Sequence, residues 1–510
     1  MPVKVIRKHM PFSPDPSRII PRFIDTTESR GIKIVKTVLA MPEIEVNKAL
    51  NQILRGFSTR HRNISQIFER HFNKLGHIFI QLDIDPKELI FSRKALIGSY
   101  FTMEYSIESA AFYNPSIFDD PDQSELRPGE KRVIFSFRVS GEGHISSIVF
   151  RSGVFDRNNN LAIEPVGRML AEADVIKRNV YNKKTFQEKL EVMQDRENVI
   201  SPDFILDKLR DNFTYGELTQ CCKETEETLT SAKEILIDQM MWLASSQYEI
   251  DFSIDSAISE RVIFPISSTE QKGIEDARFV KFTDDEGVVT YYATYTANDG
   301  ATTMPKLIST SDFYHFKISP MHGEIAQNKG MALFPRKING KYAMLCQIDG
   351  VSNYITYSDN INIWSEAKLI QEPKYPWELF QISNAGSPIE TEDGWLVITH
   401  AIGPMRKCVI SAALFELANP ENEIGRLKNP LLIPNESESE GYASNVIFSC
   451  GSMIHNEDLI IPYAISEHTS IYATVKLKDL LNELKSGASA SSKIIDSRVN
   501  LNNDIELKVA

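Results

Sequence analysis

Hydrophobic residues near the start of the chain recur at three- and four-residue steps, which is the spacing of one face of an α-helix. Residues 45–75 follow this pattern through Leu50 and Ile53, with charged residues between the apolar ones. A second stretch, 94–113, has the same spacing. The pattern therefore predicts helical structure in both stretches.

The pattern changes to β-strands from about residue 131. The segments 133–139 and 145–151 are rich in β-branched and aromatic residues and lie on either side of Gly141-Glu142-Gly143. Residues 165–240 interrupt the strands with charged, helix-favouring sequence. From about residue 255 onward the chain is again typical of β-structure.

A weak internal repeat runs through this second β-rich region. Turn sequences followed by apolar or aromatic residues occur at Glu286-Gly287, Asn339-Gly340 and Asp393-Gly394, spaced by 53 and 54 residues. A looser relative follows at Asn456. Repeated hairpins with a period of about 40–55 residues are typical of propeller blades. The repeat by itself leaves a β-propeller and a β-sandwich both open.

Length, composition and charge narrow the class of protein. At 510 residues the chain exceeds one typical domain, although propellers can be single large units. Its hydrophobic content of 42% and charged content of 25% are ordinary for a globular protein. The net charge of -13 argues against nucleic acid as a partner, because nonspecific nucleic-acid binding needs a basic surface.

The sequence also bears on location. The N-terminus lacks the apolar core of a signal peptide, and no run of about 18 apolar residues predicts a membrane helix. The five cysteines are odd in number and form no C-x-x-C pair. We therefore expect a cytoplasmic protein without a membrane partner.

The candidate chemistry lies in residues 272–279. This run contains two adjacent carboxylates, Glu275 and Asp276, followed by Arg278. A guanidinium can hold one carboxylate ionised and rigid while its neighbour stays available for chemistry. The aromatic run 291–300 then ends in an Asp-Gly turn and is typical of a sugar-binding wall. The alternative interpretation is a structural ion pair beside an ordinary hairpin.

These two runs resemble the signature of glycoside hydrolase family 130, a family of five-bladed propeller enzymes that cleave β-mannosides by phosphorolysis or hydrolysis. Further runs in the same order are also similar to that family, and the resemblance covers roughly residues 130–480. They comprise 328–342, 386–400, 403–407 and 461–464. The N-terminal part, with 60–62 and 100–105, is similar to longer members related to β-1,2-oligomannan phosphorylases.

The resemblance implies a mainly β fold, a five-bladed β-propeller with a helical N-terminal extension and a helical insertion. The expected division is a helical extension over 1–125, a catalytic propeller over 126–485 with its insertion at about 165–240, and a C-terminal tail over 486–510. N-terminal additions of this kind often support oligomer contacts, so a homo-oligomer is expected.

The resemblance also assigns roles around the two runs. Asp276 is implied as the general acid, acting through a hydroxyl of the bound mannose. The implied substrate-binding residues are Glu275, Arg278, Tyr295, Asp299 and Asn328. For Asp299 a plain turn residue is an equal alternative. Inversion requires the nucleophile on the face opposite the acid.

The anion site is where this chain departs from the family pattern. Lys329 and His400 match family positions that bind phosphate. The matching arginine, lysine and tyrosine positions are occupied here by Gln347, Gln381 and Cys408. Losing fixed cations weakens the binding of a dianion.

Two further cations follow His400 in the chain. Arg406 and Lys407 are predicted to replace part of the missing charge, and the alternative is that both are solvated surface residues. The predicted phosphate-binding set is therefore Lys329, His400, Arg406 and Lys407.

The leading functional prediction is an inverting phosphorylase that acts on β-1,2-linked mannosides and gives mannose 1-phosphate. The alternative is an inverting β-1,2-mannosidase that uses water, with Glu467 or a glutamate of 436–440 as the base. A third reading is a glycan-binding propeller without activity. The expected partners are a β-mannoside oligosaccharide and phosphate as co-substrate, and neither a cofactor nor a metal is expected.

Overall fold

The computed structural model describes residues 3–173, 175–177, 180–193, 200–225, 230–327 and 329–486. Apart from Ser486, the predicted tail at 486–510 lies outside these residues. The helices are α1 (Glu28–Ala40), α2 (Glu43–Phe57), α3 (Ile64–Asn73), α4 (Gly76–Gln81), α5 (Phe91–Tyr100), α6 (Lys183–Met193), α7 (Asp203–Leu206), α8 (Tyr215–Lys223) and α9 (Ser231–Ser246). No helix in this part of the chain is long and apolar enough to cross a membrane.

Strands dominate the rest of the molecule, so the predicted mainly β class is confirmed. The first twelve are β1 (Val5–Phe12), β2 (Ile19–Phe23), β3 (Thr102–Ser106), β4 (Ala111–Asp119), β5 (Lys131–Ser140), β6 (Ser146–Phe155), β7 (Leu161–Ile163), β8 (Val175–Lys177), β9 (Val180–Asn182), β10 (Asn212–Thr214), β11 (Tyr248–Asp251) and β12 (Val262–Ile263). The next eight are β13 (Gly273–Thr283), β14 (Val289–Asn298), β15 (Thr303–Thr310), β16 (His315–Pro320), β17 (Ala332–Leu333), β18 (Tyr342–Cys346), β19 (Asn353–Ser358) and β20 (Ala367–Gln371). The last nine are β21 (Gln381–Asn384), β22 (Ile389–Thr391), β23 (Gly394–Ile402), β24 (Cys408–Phe415), β25 (Glu423–Arg426), β26 (Ile447–Phe448), β27 (Met453–His455), β28 (Asp458–Ile465) and β29 (Thr469–Lys476).

The described strands form four larger sheets and two strand pairs. The terminal sheet contains β1 and β26–β29, and its order places the first strand of the chain beside the last, β29. The eleven-stranded sheet has the order β4-β5-β6-β13-β14-β15-β16-β11-β8, with β7 and β12 also on β6. The four-stranded sheet is β17–β20, and the five-stranded sheet is β21–β25. The strand pairs are β2–β3 and β9–β10.

The eleven-stranded sheet consists of two antiparallel groups joined at one point. Strands β6 and β13 pair in parallel through the single register Gly273↔Ser146. On one side of this joint lie β4–β7 and β12, and on the other lie β13–β16 with β11 and β8. The sheet therefore consists of two antiparallel groups with a single parallel joint between them.

Apolar clusters connect these groups in chain order. One cluster joins the terminal sheet to β4–β6 and includes Phe12 and Phe135. The next joins β5 and β6 to β13–β16. A third joins β13–β15 to the four-stranded sheet and includes Phe282 and Met344. Each group thus buries an apolar face against its neighbour in sequence, which is the dominant favourable term in folding.

Two more clusters complete the sequence of contacts. Phe334 of the β17 edge meets Trp395 of β23 with ring centroids 5.0 Å apart, so the four-stranded and five-stranded sheets pack together. Leu414 of β24 and Tyr463 of β28 lie in a cluster that joins the five-stranded sheet to the terminal sheet. The five-stranded sheet therefore packs against the terminal sheet, which contains both the first and the last strand of the described chain.

The turns predicted from the internal repeat all lie between paired antiparallel strands. Gly287 separates β13 from β14, and Gly340 separates β17 from β18. Gly394 begins β23 after its hairpin with β22, and Asn456 separates β27 from β28. All four residues have positive φ, between 52° and 140°, which explains the Gly and Asn at these positions.

The predicted helix over 45–75 is confirmed as two helices, α2 and α3. The prediction of a helix over 94–113 is wrong beyond Tyr100. There the chain turns into β3, which pairs with β2, and β4, which pairs with β5. The ladder hydrogen bonds of these sheets and the burial of Phe112 outweigh the local helical spacing.

The segment 1–125 also differs from a helical extension. Its helices occupy only Glu28–Tyr100, while β1 belongs to the terminal sheet and β4 to the eleven-stranded sheet. The predicted helical insertion is present as α6–α9, which with the β9–β10 pair enclose a core of their own. Parts of this insertion lie outside the described residues.

Candidate active site

The site is built around an irregularity in β13. Glu275 pairs with Thr296 and Arg278 with Thr294, so Asp276 and Ala277 together face a single residue of β14. This is a β-bulge, and Asp276 takes the left-handed conformation with φ of 56°. In a regular strand adjacent side chains point to opposite faces. The bulge instead turns Glu275 and Asp276 toward the same guanidinium.

That guanidinium belongs to Arg138 of β5. Its Nη2 donates to Oε1 of Glu275 at 3.0 Å, and its Nη1 donates to Oδ1 of Asp276 at 3.2 Å. The ring of Tyr113 lies 5.0 Å below the guanidinium carbon. Arg138 thus holds both carboxylates of the β13 bulge in fixed positions.

A second bulge, in β4, faces the first. Tyr113 pairs with Arg138 and Ser116 with Ser136, so Asn114 and Pro115 interrupt the register. Asn114 is also left-handed, with φ of 50°. Its Nδ2 donates to Oδ1 of Asp276 at 2.6 Å. Bulges often re-aim side chains beside active sites, and here two of them converge on one carboxylate.

Glu275 is the most heavily bonded carboxylate of the site. Besides Arg138, it accepts from Nδ2 of Asn298 at 3.0 Å and from Nζ of Lys329 at 2.7 Å. Lys329 is 53% exposed, so its side chain is free to turn away when a ligand enters. Glu275 therefore links β13, β14 and the segment before β17.

The charges around Asp276 keep it ionised. Burial raises the pKa of Asp276, but the guanidinium groups of Arg138 and Arg278 together with the hydrogen bond from Asn114 bring the pKa below its usual value. Glu467, in the β28–β29 hairpin, differs. Burial raises its pKa and the charges of Asp276 and Glu275 raise it further, against the opposing effect of Arg138. The site therefore holds two carboxyl groups whose pKa values are shifted in opposite directions, downward for Asp276 and upward for Glu467.

His400 of β23 is buried and neutral. Its Nε2 accepts the backbone N–H of Ser449 at 2.8 Å, and its ring stacks on Phe448 at 3.9 Å. Burial, with a further contribution from Arg278, lowers the pKa of His400 to about 3. Because Nε2 is an acceptor, Nδ1 carries the proton, and this buried Nδ1 has no partner.

Arg278 has a similar unused donor. Its Nη1 donates to the backbone oxygen of Asp276 at 3.3 Å, and its buried Nε has no partner. Arg278, His400 and Asp276 influence one another electrostatically, which places them at one centre. The structure therefore brings together six of the predicted residues, which are Glu275, Asp276, Arg278, Lys329, His400 and Glu467.

Other predicted residues lie elsewhere. Tyr295 is buried in the core, and its hydroxyl donates to Oε1 of Glu270 at 2.7 Å, so the expectation that it contacts substrate needs correction. It supports a buried ion pair between Glu270 and Lys306. Asp299 accepts from the backbone N–H groups of Ala301 and Thr302 and acts as a turn residue. Asn328 lies outside the described residues.

The predicted cations after His400 are at the surface. Arg406 and Lys407 lie at the tip of the β23–β24 hairpin, and within the described ranges neither forms an ion pair. In the 436–440 loop, Glu438 is buried rather than solvated. It accepts from Nε of Arg7 at 3.0 Å and from the hydroxyl of Tyr463 at 2.8 Å, so it is not free to act as a base.

Part of the chain is similar in sequence to known proteins. The profile of the family Glyco_hydro_130, described as beta-1,4-mannooligosaccharide phosphorylase, matches residues 241–486. A 1,2-beta-oligomannan phosphorylase of Thermoanaerobacter sp. (strain X514) is 33% identical over 220 residues, which is 42% of this chain and 72% of that protein. The chain belongs to glycoside hydrolase family 130.

A further sequence relative and a solved structure come from Listeria innocua. Its beta-1,2-mannobiose phosphorylase is 27% identical over 232 residues, covering 44% of this chain and 63% of that protein. A solved structure of beta-1,2-mannobiose phosphorylase from this organism in complex with beta-1,2-mannobiose has a TM-score of 0.45 at 20% identity, and the match covers 75% of this chain and 93% of that chain. Each of these two sequence matches leaves more than half of this family 130 enzyme uncovered.

The departures from the family pattern are neutral and lie on neighbouring strands, since Gln381 pairs with Ile402 and Ile402 pairs with Cys408. We call these three residues, Gln347, Gln381 and Cys408, the neutral patch. Nε2 of Gln381 donates to Oε1 of Gln347 at 3.2 Å, and Nε2 of Gln347 donates to the backbone oxygen of Ile382 at 3.1 Å. Cys408 is buried, and burial together with the charge of Glu467 raises the pKa of its thiol to about 12. Three positions that the family resemblance associates with phosphate therefore carry no charge here.

Arg138 and Asn114 are site residues that the sequence patterns did not predict. Arg138 stands in the middle of the apolar run 133–139, and Asn114 with Pro115 interrupts another apolar strand. A charged residue inside a buried strand is a signal, because such a group is rarely buried without a partner. Among the described residues no cluster of three or more His, Cys, Asp or Glu side chains is arranged to hold a metal ion.

Proposed function

We propose that this protein is an inverting phosphorylase that acts on β-1,2-linked mannosides and releases mannose 1-phosphate. The observation that carries the proposal is the pair of buried, unpartnered donors beside Asp276, namely Nε of Arg278 and Nδ1 of His400. Buried donors without partners are costly, so a ligand that accepts from both explains why they persist. The names of the relatives supply the β-1,2 linkage.

In this proposal Asp276 is the general acid, and it acts through a hydroxyl of the bound mannose. The free carboxyl is ionised because its pKa is lowered, so it must gain a proton in the substrate complex. Entry of the sugar excludes water, and an incoming phosphate adds negative charge. Both changes raise the pKa of a nearby carboxyl and favour its protonated form.

Phosphate is proposed to bind on the face of the sugar opposite Asp276. Arg278 supplies a charge, His400 supplies a neutral N–H donor, and Lys329 turns from Glu275 toward the anion. Arg406 and Lys407 contribute positive potential from the hairpin tip. This set is weaker than one with further fixed cations in place of Gln347 and Gln381, so a high KM for phosphate is expected.

The second candidate is an inverting β-1,2-mannosidase. The neutral patch of Gln347, Gln381 and Cys408 favours it, because water needs no cation. Glu467 is then the base, and its raised pKa makes it a stronger base than an ordinary glutamate. A binding protein without activity is the outcome if neither product forms.

The deciding experiment is incubation with β-1,2-mannobiose, with and without phosphate, followed by NMR identification of the sugars. We expect mannose and α-mannose 1-phosphate to form only when phosphate is present. The α-anomer tests inversion, because the substrate bond is β. Release of free mannose alone, at full rate and without phosphate, would sink the phosphorylase proposal in favour of the hydrolase.

A variant of Lys329 separates anion binding from sugar binding. Lys329→Ala should raise the KM for phosphate about tenfold, because a charge-assisted hydrogen bond is lost, and should raise the KM for mannobiose much less. Initial rates at varied phosphate and varied sugar measure both constants. Lys337→Ala is the matched control, since Lys337 pairs with Asp285 away from the site. Equal changes in both constants would remove Lys329 from the phosphate set.

The architecture proposed for this enzyme is a five-bladed propeller. Five antiparallel groups follow in sequence order and pack each on the next, and the pairing of β1 with β29 in the terminal sheet joins the chain ends, which supports this reading. Assembly into a homo-oligomer and a cytoplasmic location remain part of the proposal. All five cysteines are free thiols, as expected in a reducing compartment.

A further inference from the structure

Three large side chains stand in solvent beside the candidate active site. Phe380 is 60% exposed, Met405 is 94% exposed and Tyr442 is 77% exposed. We call these three residues the apolar rim. Scattered apolar residues on a surface need no explanation, but a group of them around a site often marks a ligand-binding surface.

Phe380 is attached directly to the neutral patch of the site. It precedes Gln381, whose side chain bonds to Gln347. Its backbone N–H donates to the oxygen of Ile402 at 3.1 Å, which fixes it against the end of β23, two residues from His400. The backbone of β23 therefore fixes the backbone of Phe380 beside the end of β23, and the ring of Phe380 is exposed there.

Met405 lies in a strained hairpin tip next to Phe380. The hairpin between β23 and β24 packs so closely on the segment before Phe380 that a Cβ at Gly403 would lie 2.7 Å from the backbone oxygen of Trp377. Met405 has φ of 57°, in the left-handed region that disfavours residues with a Cβ.

A second hairpin of the protein, between β5 and β6, has the same turn as the Met405 hairpin and shows which residue this turn favours. The β5–β6 hairpin has the same 3₁₀ turn, and the residue at the position of Met405 there is Gly143, with φ of 68°. Glycine is thus the residue that the backbone favours at this position. Strain that persists at a site edge suggests that the side chain has a use, here an exposed thioether.

Tyr442 completes the rim on the side of Glu467. Cys408, at the end of the Met405 hairpin, bridges in parallel to Val446, so the hairpin tip and the loop with Tyr442 lie side by side. Gly441, which precedes Tyr442, packs against Ser466. A Cβ added at Gly441 would lie 2.5 Å from the Cβ of Ser466. Tyr442 therefore follows a residue that is packed against Ser466, and Ser466 precedes Glu467 in the chain. The ring of Tyr442 lies 6.0 Å from the ring of His144.

We propose that the apolar rim binds the mannosyl units of an oligosaccharide that lie beyond the two units flanking the scissile bond. A β-mannosyl unit carries its axial C–H bonds at C1, C3 and C5 on one face and its axial 2-hydroxyl on the other. The C–H face is apolar and slightly positive, which complements the negative face of an aromatic ring. This rests on the proposed function and extends it, because it assigns chains longer than a disaccharide as the preferred substrates.

The test compares kcat/KM for β-1,2-mannotetraose with that for β-1,2-mannobiose, both with phosphate. In each of Phe380→Ala, Tyr442→Ala and Met405→Gly, the ratio of the two values should fall about threefold to tenfold. Met405→Gly should do so while the Tm stays the same or rises, since glycine relieves the strained φ. Phe91→Ala is the matched control, because Phe91 is 51% exposed on α5 and lies outside the rim.

Unchanged ratios in all three variants, or equal losses with both sugars, would overturn the proposal. A change of oligomeric state in the rim variants, seen by size-exclusion chromatography with no change in the ratios, would assign the surface to a second copy of the chain instead. If the wild type cleaves neither sugar, the proposed function fails separately. Calorimetric titration with mannotetraose then tests the rim: binding weakened by Phe380→Ala supports it, and binding unaffected by Phe380→Ala, or no binding, refutes it.

Discussion

At the scale of single residues, the site depends on how Asp276 is surrounded. Its carboxylate has two side-chain donors, Asn114 and Arg138, and Arg278 lies within electrostatic reach. Glu467 has the opposite tendency, because burial and neighbouring carboxylates raise its pKa. Pairs of carboxyl groups whose pKa values are pushed apart are a frequent basis for acid and base roles. The assignment of the two roles is therefore open to direct mutagenesis.

The first residue-scale prediction is that Asp276→Asn lowers kcat by at least about 100-fold while the fold stays intact. The amide is nearly isosteric and still accepts from Asn114, but it cannot deliver a catalytic proton. Turnover and thermal unfolding of the same preparation measure the two effects. Asp122→Asn serves as a control, since Asp122 is 69% exposed in the β4–β5 connection. Retention of more than about a tenth of the activity would remove Asp276 from the acid role.

At the scale of elements, the joint between β6 and β13 positions the catalytic bulge. Gly273 begins β13 only three residues before Asp276. It has φ of 140° and pairs with Ser146. A Cβ at Gly273 would lie 2.2 Å from Oγ and 2.8 Å from the backbone N of Ser146. Only glycine allows this approach, so the joint depends on one residue.

We therefore expect Gly273→Ala to lower the free energy of unfolding by about 2–4 kcal/mol, from backbone strain plus the clash. Gly287→Ala is the matched control, because Gly287 also has positive φ, 83°, but has nothing within 4 Å of an added Cβ. Its cost should be about 1 kcal/mol, from strain alone. Urea unfolding curves give both values. Equal losses in the two variants would show that the joint tolerates a side chain.

At the scale of the whole molecule, buried histidines link stability to pH. Burial lowers the pKa of His71 to about 4 and of His322 and His400 to about 3. The unfolded chain has histidine pKa values near about 6.5. Below that pH the unfolded state binds protons that the folded state does not, so stability rises with pH in this range and is lost as the pH falls toward the folded pKa values.

The corresponding prediction is that the free energy of unfolding falls between pH 7 and pH 5, by at most about 2 kcal/mol for each buried histidine. His322→Gln should flatten this dependence, since Nε2 of His322 is buried without a partner. His77→Gln should leave it as in the wild type, because His77 is exposed. Urea unfolding at pH 7, 6 and 5 measures the slopes. Identical slopes for His322→Gln and the wild type would contradict the linkage.

Local signals in the sequence were sufficient for much of the fold and part of the site. The turns at Gly287, Gly340 and Gly394 are determined by residues that tolerate positive φ, so their spacing predicts hairpins without any tertiary information. Strands β5 and β6 follow from their β-branched and aromatic composition. The adjacent carboxylates and arginine of β13 mark the site, because their chemistry is visible in the side chains themselves.

Only the tertiary structure decided which groups meet and which are buried. Asn114 and Arg138 reach Asp276 because bulges in β4 and β13 re-aim Asn114 and Asp276 toward each other and toward Arg138, and a bulge arises from pairing between distant segments. Tyr295 lies only three residues before Asn298, which donates to Glu275, yet the Tyr295 side chain packs against Glu270. The strand β4 forms where a helical spacing occurs, because its ladder partner β5 is supplied by the fold. Such outcomes depend on contacts between residues far apart in the chain, and local patterns do not contain them.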